Sequence, residues 1–157
     1  MSIGVCPGSY DPITFGHVDV VRRARSVFDE VIIGVARNQS KRYLFSDTER
    51  LELAREAVTG IGGVRVEFVP GLLADFVRQV GASAIVKGLR GSADYDDEQS
   101  MALLNRHLSG VETVFILGDP GLAHISSSHV KDIARYGGNI EDLVPSAVAR
   151  ALAGKEY

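Results

Sequence analysis

The chain has 157 residues, 45% of them hydrophobic, enough for one domain with a sizeable core. A net charge of −3 argues against a dedicated nucleic-acid binder, which carries a basic patch, and the single Cys6 excludes an internal disulfide or a cysteine metal cluster. No apolar run approaches the ~18 residues of a membrane span. Met1 to Ser9 lacks the regions of a signal peptide, so a cytoplasmic protein with no membrane contact is expected.

An apolar strand, Ile3 to Cys6, opens the chain, and Cys6 reads as a small core residue. It runs into the turn Pro7-Gly-Ser-Tyr-Asp-Pro-Ile-Thr-Phe-Gly-His17. The stripe Val18, Val21, Ala24, Val27 and Phe28 then predicts a helix. Glu30 to Ala36 reads as a strand buried on both faces, followed by the polar loop Arg37 to Arg42. Ser46-Asp-Thr-Glu49 is a capping box before the stripe Leu51, Ala54, Ala57, Val58. Val64, Val66 and Phe68 alternate, as in a strand near a sheet edge. Leu72, Leu73, Phe76, Val77 and Val80 mark a helix closed by Gly81, with Phe76 and Val77 in the core. Ser83 to Val86 is a fourth strand, and Lys87-Gly-Leu-Arg-Gly91 a glycine-flanked turn. A long helix spans about Ser92 to Leu108, with an acidic start at Asp94 to Glu98. Thr113 to Leu117 is a fifth strand, broken by Gly118 to Gly121. Ile125-Ser-Ser-Ser-His-Val130 opens another helix, and Pro145 opens a last short one.

Five strands separated by helices predict an α/β fold over residues 1–157, a single-domain Rossmann-like open sheet of about five parallel strands with helices on both faces. In such sheets the ligand lies beyond the carboxyl ends of the strands, where the strand order reverses. The chemically distinctive residues do follow strands: Ser9 and His17, Lys41, Leu73, Lys87 and Arg90, and Ser126 to Ser128. Walker A and Gly-x-Gly-x-x-Gly loops are missing. Cations and hydroxyls converge instead, the set that phosphoryl or nucleotidyl transfer needs to position phosphates and neutralise growing charge. His17 at a helix N-terminus is expected to have a lowered pKa through the helix dipole and to act as a hydrogen-bond donor. Asp94 to Glu98 reads mainly as a dipole complement and solvent face.

Thr14-x-Gly16-His17 is the T/H-x-G-H signature of the nucleotidyltransferase superfamily. Together with Lys41, Lys87-Gly-Leu-Arg90 and Ile125-Ser-Ser-Ser-x-Val-Lys131, in collinear order over nearly the whole chain, it resembles the phosphopantetheine adenylyltransferases. The resemblance implies in-line attack of 4′-phosphopantetheine on the α-phosphorus of ATP, without a covalent intermediate. It implies catalytic roles for His17, Lys41 and Arg90. ATP would lie against Ser9, Tyr10, His17, Gly88, Leu89, Arg90, Glu98 and the run Leu122, Ala123, His124, Ile125, Ser126, Ser127, Ser128. The acceptor would lie against Ser9, Lys41, Leu73 and Lys87. Mg²⁺ would arrive with ATP, coenzyme A would be a feedback ligand, and the assembly would be a homohexamer. Two stretches depart from the family pattern: Tyr95-Asp96-Asp97-Glu98 where Glu-x-Glu is usual, and Leu122 and His124 where aromatics are usual. Two other readings stay open on residues alone, another nucleotidyltransferase of the same fold and a non-catalytic nucleotide-binding module.

Overall fold

The computed structural model describes residues 1–157. Five parallel strands stand in the order β3-β2-β1-β4-β5: β1 Ile3–Gly8, β2 Glu30–Val35, β3 Val64–Phe68, β4 Ala84–Leu89 and β5 Glu112–Leu117. Six helices connect and cover them: α1 Phe15–Arg25, α2 Asp47–Ala57, α3 Leu73–Gln79, α4 Ser92–Ser109, α5 Ser127–Arg135 and α6 Ser146–Ala153. None is long and apolar enough to cross a membrane.

Successive strand residues point to opposite faces, so each central strand feeds two cores. Cys6, Val31, Ile33, Val35 and Val86 join the larger core with Val21 and Ala24 of α1, Ala54 of α2 and Val148 and Leu152 of α6. Val5, Ile32 and Ile85 join a smaller core with Phe76 and Val77 of α3. β2 is buried on both faces because it is internal, whereas β3 closes one edge. Gly81 and Gly137 adopt φ of 71° and 76°, the left-handed conformation that ends α3 and α5.

The strands run further than the apolar pattern predicts. β1 continues through Pro7 and Gly8, and β4 takes in Lys87, Gly88 and Leu89, which the sequence pattern assigns to a turn. The reason lies in how the ladders end. β1 and β4 pair only at Gly4↔Ala84 and Val5↔Ile85. Beyond that point β1 stays with β2 to Gly8↔Val35, and β4 stays with β5 to Leu89↔Leu117. The sheet forks at its middle. Pro7, which has no N–H to give, falls where β1 has left β4. The fork is also where the strand order reverses, so the crevice opens at the position that open α/β sheets use for ligands.

Candidate active site

The fork leads into a cavity of about 640 Å³. Its walls come from four segments: the β1–α1 turn, the end of β4, the start of α4, and the stretch from Leu117 to Ser127. Among the sequence-predicted residues, Tyr10, His17, Lys87, Gly88, Leu89, Arg90, Glu98, Leu122, Ala123, Ile125, Ser126 and Ser127 line it.

His17 is fixed by the helix it helps to start. Thr14 caps α1 and His17 is its third residue. The Thr14 backbone N–H donates to His17 Nδ1 at 3.0 Å, and the His17 N–H donates back to Thr14 Oγ1 at 3.4 Å. An imidazole serves in place of the usual Glu or Gln of a capping box. Because Nδ1 accepts, the proton of the neutral ring sits on Nε2. Burial pushes the His17 pKa down to about 4, helped by the charges of Arg90 and Lys87. The lowering is as expected, but desolvation leads it, followed by the two cations. At neutral pH His17 is a neutral donor.

Tyr10 supports this arrangement. It holds φ of 50°, its ring stands edge-on to His17 at 4.9 Å, and its hydroxyl donates to the Cys6 carbonyl at 2.8 Å. A Cβ on Gly8 would stand 3.1 Å from that ring. Gly88 admits α1 equally closely: a Cβ there would lie 2.7 Å from Val20 Cγ2.

The cations of the cavity have acidic partners. Lys87 Nζ lies 3.3 Å from Glu98 Oε2. The backbone N–H of Arg90 donates to Asp94 Oδ2 at 2.8 Å and its Nε at 3.2 Å, while a terminal nitrogen donates to the Ile125 carbonyl at 3.3 Å. Partial burial raises the Asp94 pKa, but the hydrogen bonds and charge of Arg90 outweigh it and hold the carboxyl below its ordinary range. Asp94 is thus more than a solvated start to α4, since it sets the direction of Arg90.

The three serines divide their work. Ser126 caps α5, accepting from the His129 N–H at 3.2 Å, and Ser127 Oγ donates to the Pro12 carbonyl at 2.8 Å. Ser128 is exposed in the first turn of α5. The N-terminus of α5 thus borders the cavity through Ser126 and Ser127, and a helix N-terminus favours anions.

Five expected residues stand apart from this cavity, the exposed Ser128 being one. Lys41 lines a second one of about 610 Å³ with Arg37, Arg42 and Tyr43. Ser9 lies at the end of the first strand with its hydroxyl 3.3 Å from that of Tyr43. Leu73 opens α3, partly buried against the smaller core. His124 is exposed and faces His129 and Asp132 instead of the fork.

Sequence reasoning passed over the residues that hold the rim together. Asp11, 3% exposed, accepts from the N–H groups of Leu44 and Phe45 at 3.0 and 2.9 Å and from Lys131 Nζ at 2.9 Å. Arg50, fully buried, donates to the carbonyls of Ser9 and Ala36 at 2.6 and 2.8 Å. One signal was present: Arg50 sits four positions before Ala54, a charge on the apolar face of α2. Asp11, between Tyr10 and Pro12, has no such periodic signal.

Residues 5–133 match the cytidylyltransferase-like family. Over 157 residues the chain is 51% identical to the phosphopantetheine adenylyltransferase of Pseudarthrobacter chlorophenolicus, covering 99% of this chain and 95% of that one. It is 49% identical to the enzyme of the same name from Micrococcus luteus, covering 98% and 99%. The chain belongs to the phosphopantetheine adenylyltransferase branch of the cytidylyltransferase-like family. A solved structure from Vibrio parahaemolyticus, assigned provisionally to the nicotinate-nucleotide adenylyltransferases, superposes with a TM-score of 0.70. It covers 98% of this chain and 93% of that one at 15% identity, a likeness of fold alone. The phosphopantetheine adenylyltransferase relatives match through α5 and α6, so their similarity takes in every wall of the forked cavity.

Proposed function

We propose that this protein transfers the adenylyl group of ATP to 4′-phosphopantetheine, giving dephospho-coenzyme A and pyrophosphate, the penultimate step of coenzyme A synthesis. An oxygen of the acceptor phosphate attacks the α-phosphorus in line. The bond from that phosphorus to the bridging oxygen of the β-phosphate breaks, and pyrophosphate leaves with the electron pair. The observation that carries this reading is the meeting of a neutral His17 donor with Lys87, Arg90 and the start of α5 in one cavity at the fork.

Each group has a part. His17 Nε2–H donates to phosphate oxygen where charge grows, and its low pKa makes it a poor source of protons at pH 7. Lys41 and Lys87 hold the acceptor phosphate against its repulsion from ATP, with Ser9 beside both substrates and Leu73 along the pantetheine arm. Arg90, steered by Asp94, neutralises the triphosphate. Gly88, Leu89, Glu98, Leu122, Ala123 and Ile125 border the nucleoside, and Ser126 and Ser127 with the α5 N-terminus take the distal phosphates. Each positioned donor or cation contributes roughly 2–4 kcal/mol of transition-state stabilisation in a site closed to water.

Mg²⁺ fits this site as a companion of ATP. No three acidic, His or Cys side chains are grouped to hold a metal, and Glu98 and Asp94 are paired with cations. Bound to the triphosphate oxygens, it would supply charge neutralisation there. Coenzyme A, which carries both the pantetheine arm and an adenine nucleotide, fits the same crevice as a feedback ligand. The homohexamer that the resemblance implies needs a surface where copies meet, and α4 leaves an apolar face open for one, with Met101, Leu104 and Leu108 51%, 52% and 47% exposed.

Pyrophosphate release tests the reaction. Release is expected with ATP and 4′-phosphopantetheine and not with CTP or nicotinamide mononucleotide. Turnover confined to those alternatives would overturn the assignment.

A further inference from the structure

The second cavity, where Lys41 lies, is lined by a tyrosine that the reaction scheme leaves unused. Tyr43 lies in the loop between β2 and α2, two positions after Lys41. Its ring stacks on the buried guanidinium of Arg50, 4.2 Å from ring centroid to Cζ. Its hydroxyl accepts from the Asn38 N–H at 2.6 Å and meets the Ser9 hydroxyl at 3.3 Å. Asn38 in turn builds the tight turn that ends in Lys41. The Asn38 carbonyl accepts from the Lys41 N–H at 3.0 Å, and its side-chain oxygen accepts from Ser40 N–H and Oγ at 3.0 and 2.8 Å. An unbroken chain of contacts therefore runs from Ser9 through the Tyr43 oxygen and Asn38 to Lys41. Arg50 anchors its base by holding the carbonyls of Ser9 and Ala36.

Without this chain, Lys41 would be a solvated cation on an exposed loop, with all the rotamer freedom of that state. With it, the backbone that presents Lys41 is registered against the β1–α1 turn. We propose that Tyr43 is a positioning residue for the acceptor side of the reaction, its hydroxyl tying the Asn38–Lys41 turn to Ser9 so that Lys41 faces the acceptor phosphate. The surroundings of that oxygen agree with the role. Partial burial alone raises the phenol pKa, yet the hydrogen bonds from Ser9 and Asn38 and the charges of Arg50 and Lys41 together bring it below its ordinary value. The inference rests on the reading of Lys41 as a ligand of the acceptor phosphate.

Tyr43→Phe removes the one oxygen and keeps the ring on Arg50. The KM for 4′-phosphopantetheine should rise roughly three- to tenfold, the effect of one positioned hydrogen bond, while the KM for ATP stays within about twofold. A double-mutant cycle with Lys41→Ala decides whether Tyr43 acts through Lys41. In the Lys41→Ala background, Tyr43→Phe should change the acceptor KM no further. Full additivity in the cycle, or an equal rise in both KM values, would overturn the positioning role. Failure of the unsubstituted protein to turn over 4′-phosphopantetheine would overturn the underlying reading instead.

Discussion

The protonation state of His17 can be tested away from catalysis, through stability. The folded ring has a pKa of about 4 against 6.5 for an unconstrained one. Between those values the unfolded chain binds a proton that the folded chain does not, so stability falls as pH falls through that window. The contribution is complete above pH 6.5 and disappears progressively toward pH 4. With these two pKa values, lowering the pH from 7.5 to 5 costs about 2 kcal/mol from His17 alone. His17→Gln is the matched control. A Gln at this position can still accept the Thr14 N–H through its side-chain oxygen, preserving the cap, and it does not titrate. Urea unfolding of both proteins at pH 7.5 and 5 removes the shared titration of the carboxylates by subtraction. The gap between the two proteins should move by about 2 kcal/mol in favour of the Gln variant at pH 5. Parallel loss of stability in both would refute a histidine held neutral by burial and by Arg90 and Lys87.

Other consequences can be checked alongside. His17→Ala should lower kcat by orders of magnitude and, because the ring also caps α1, should reduce stability by about 1 kcal/mol in chemical unfolding. Gly88→Ala drives a Cβ into Val20 and should cost about 1–3 kcal/mol, most of it restored by Val20→Ala. Asp11→Asn loses the Lys131 pair and weakens two backbone hydrogen bonds, so unfolding should become easier by about 2–4 kcal/mol. Burial pushes the Cys6 thiol up to about 12, so a thiol reagent should label it only when the chain unfolds.

How much of this was legible in the sequence follows from which forces leave a periodic trace. The alternation of apolar strands and amphipathic helices records burial, so five strands and their parallel direction could be read directly, though not their order in the sheet. Strand ends could not. The apolar pattern stops at Cys6 and Val86, while the ladders run on through Gly8 and Leu89 because β2 and β5 remain paired after β1 and β4 have separated. His17 was legible as a donor from its place at a helix start, but the leading cause of its low pKa is burial beneath the fork, which only the tertiary packing creates. Asp11, Tyr43 and Arg50 act by hydrogen bonds across 33, 34 and 41 positions of chain. Such contacts join residues that no local pattern relates, and for that reason the scaffolding of the rim was less visible than its cations and hydroxyls.

The proposed reaction is a single direct displacement at the α-phosphorus, with His17 as a neutral donor and no covalent intermediate on the protein. The most direct measurement is the stereochemical course with ATP carrying a chiral α-phosphorothioate and 4′-phosphopantetheine as acceptor. One in-line attack predicts inversion of configuration at phosphorus in the product. Retention would reveal two successive displacements through an adenylylated side chain and would contradict the account.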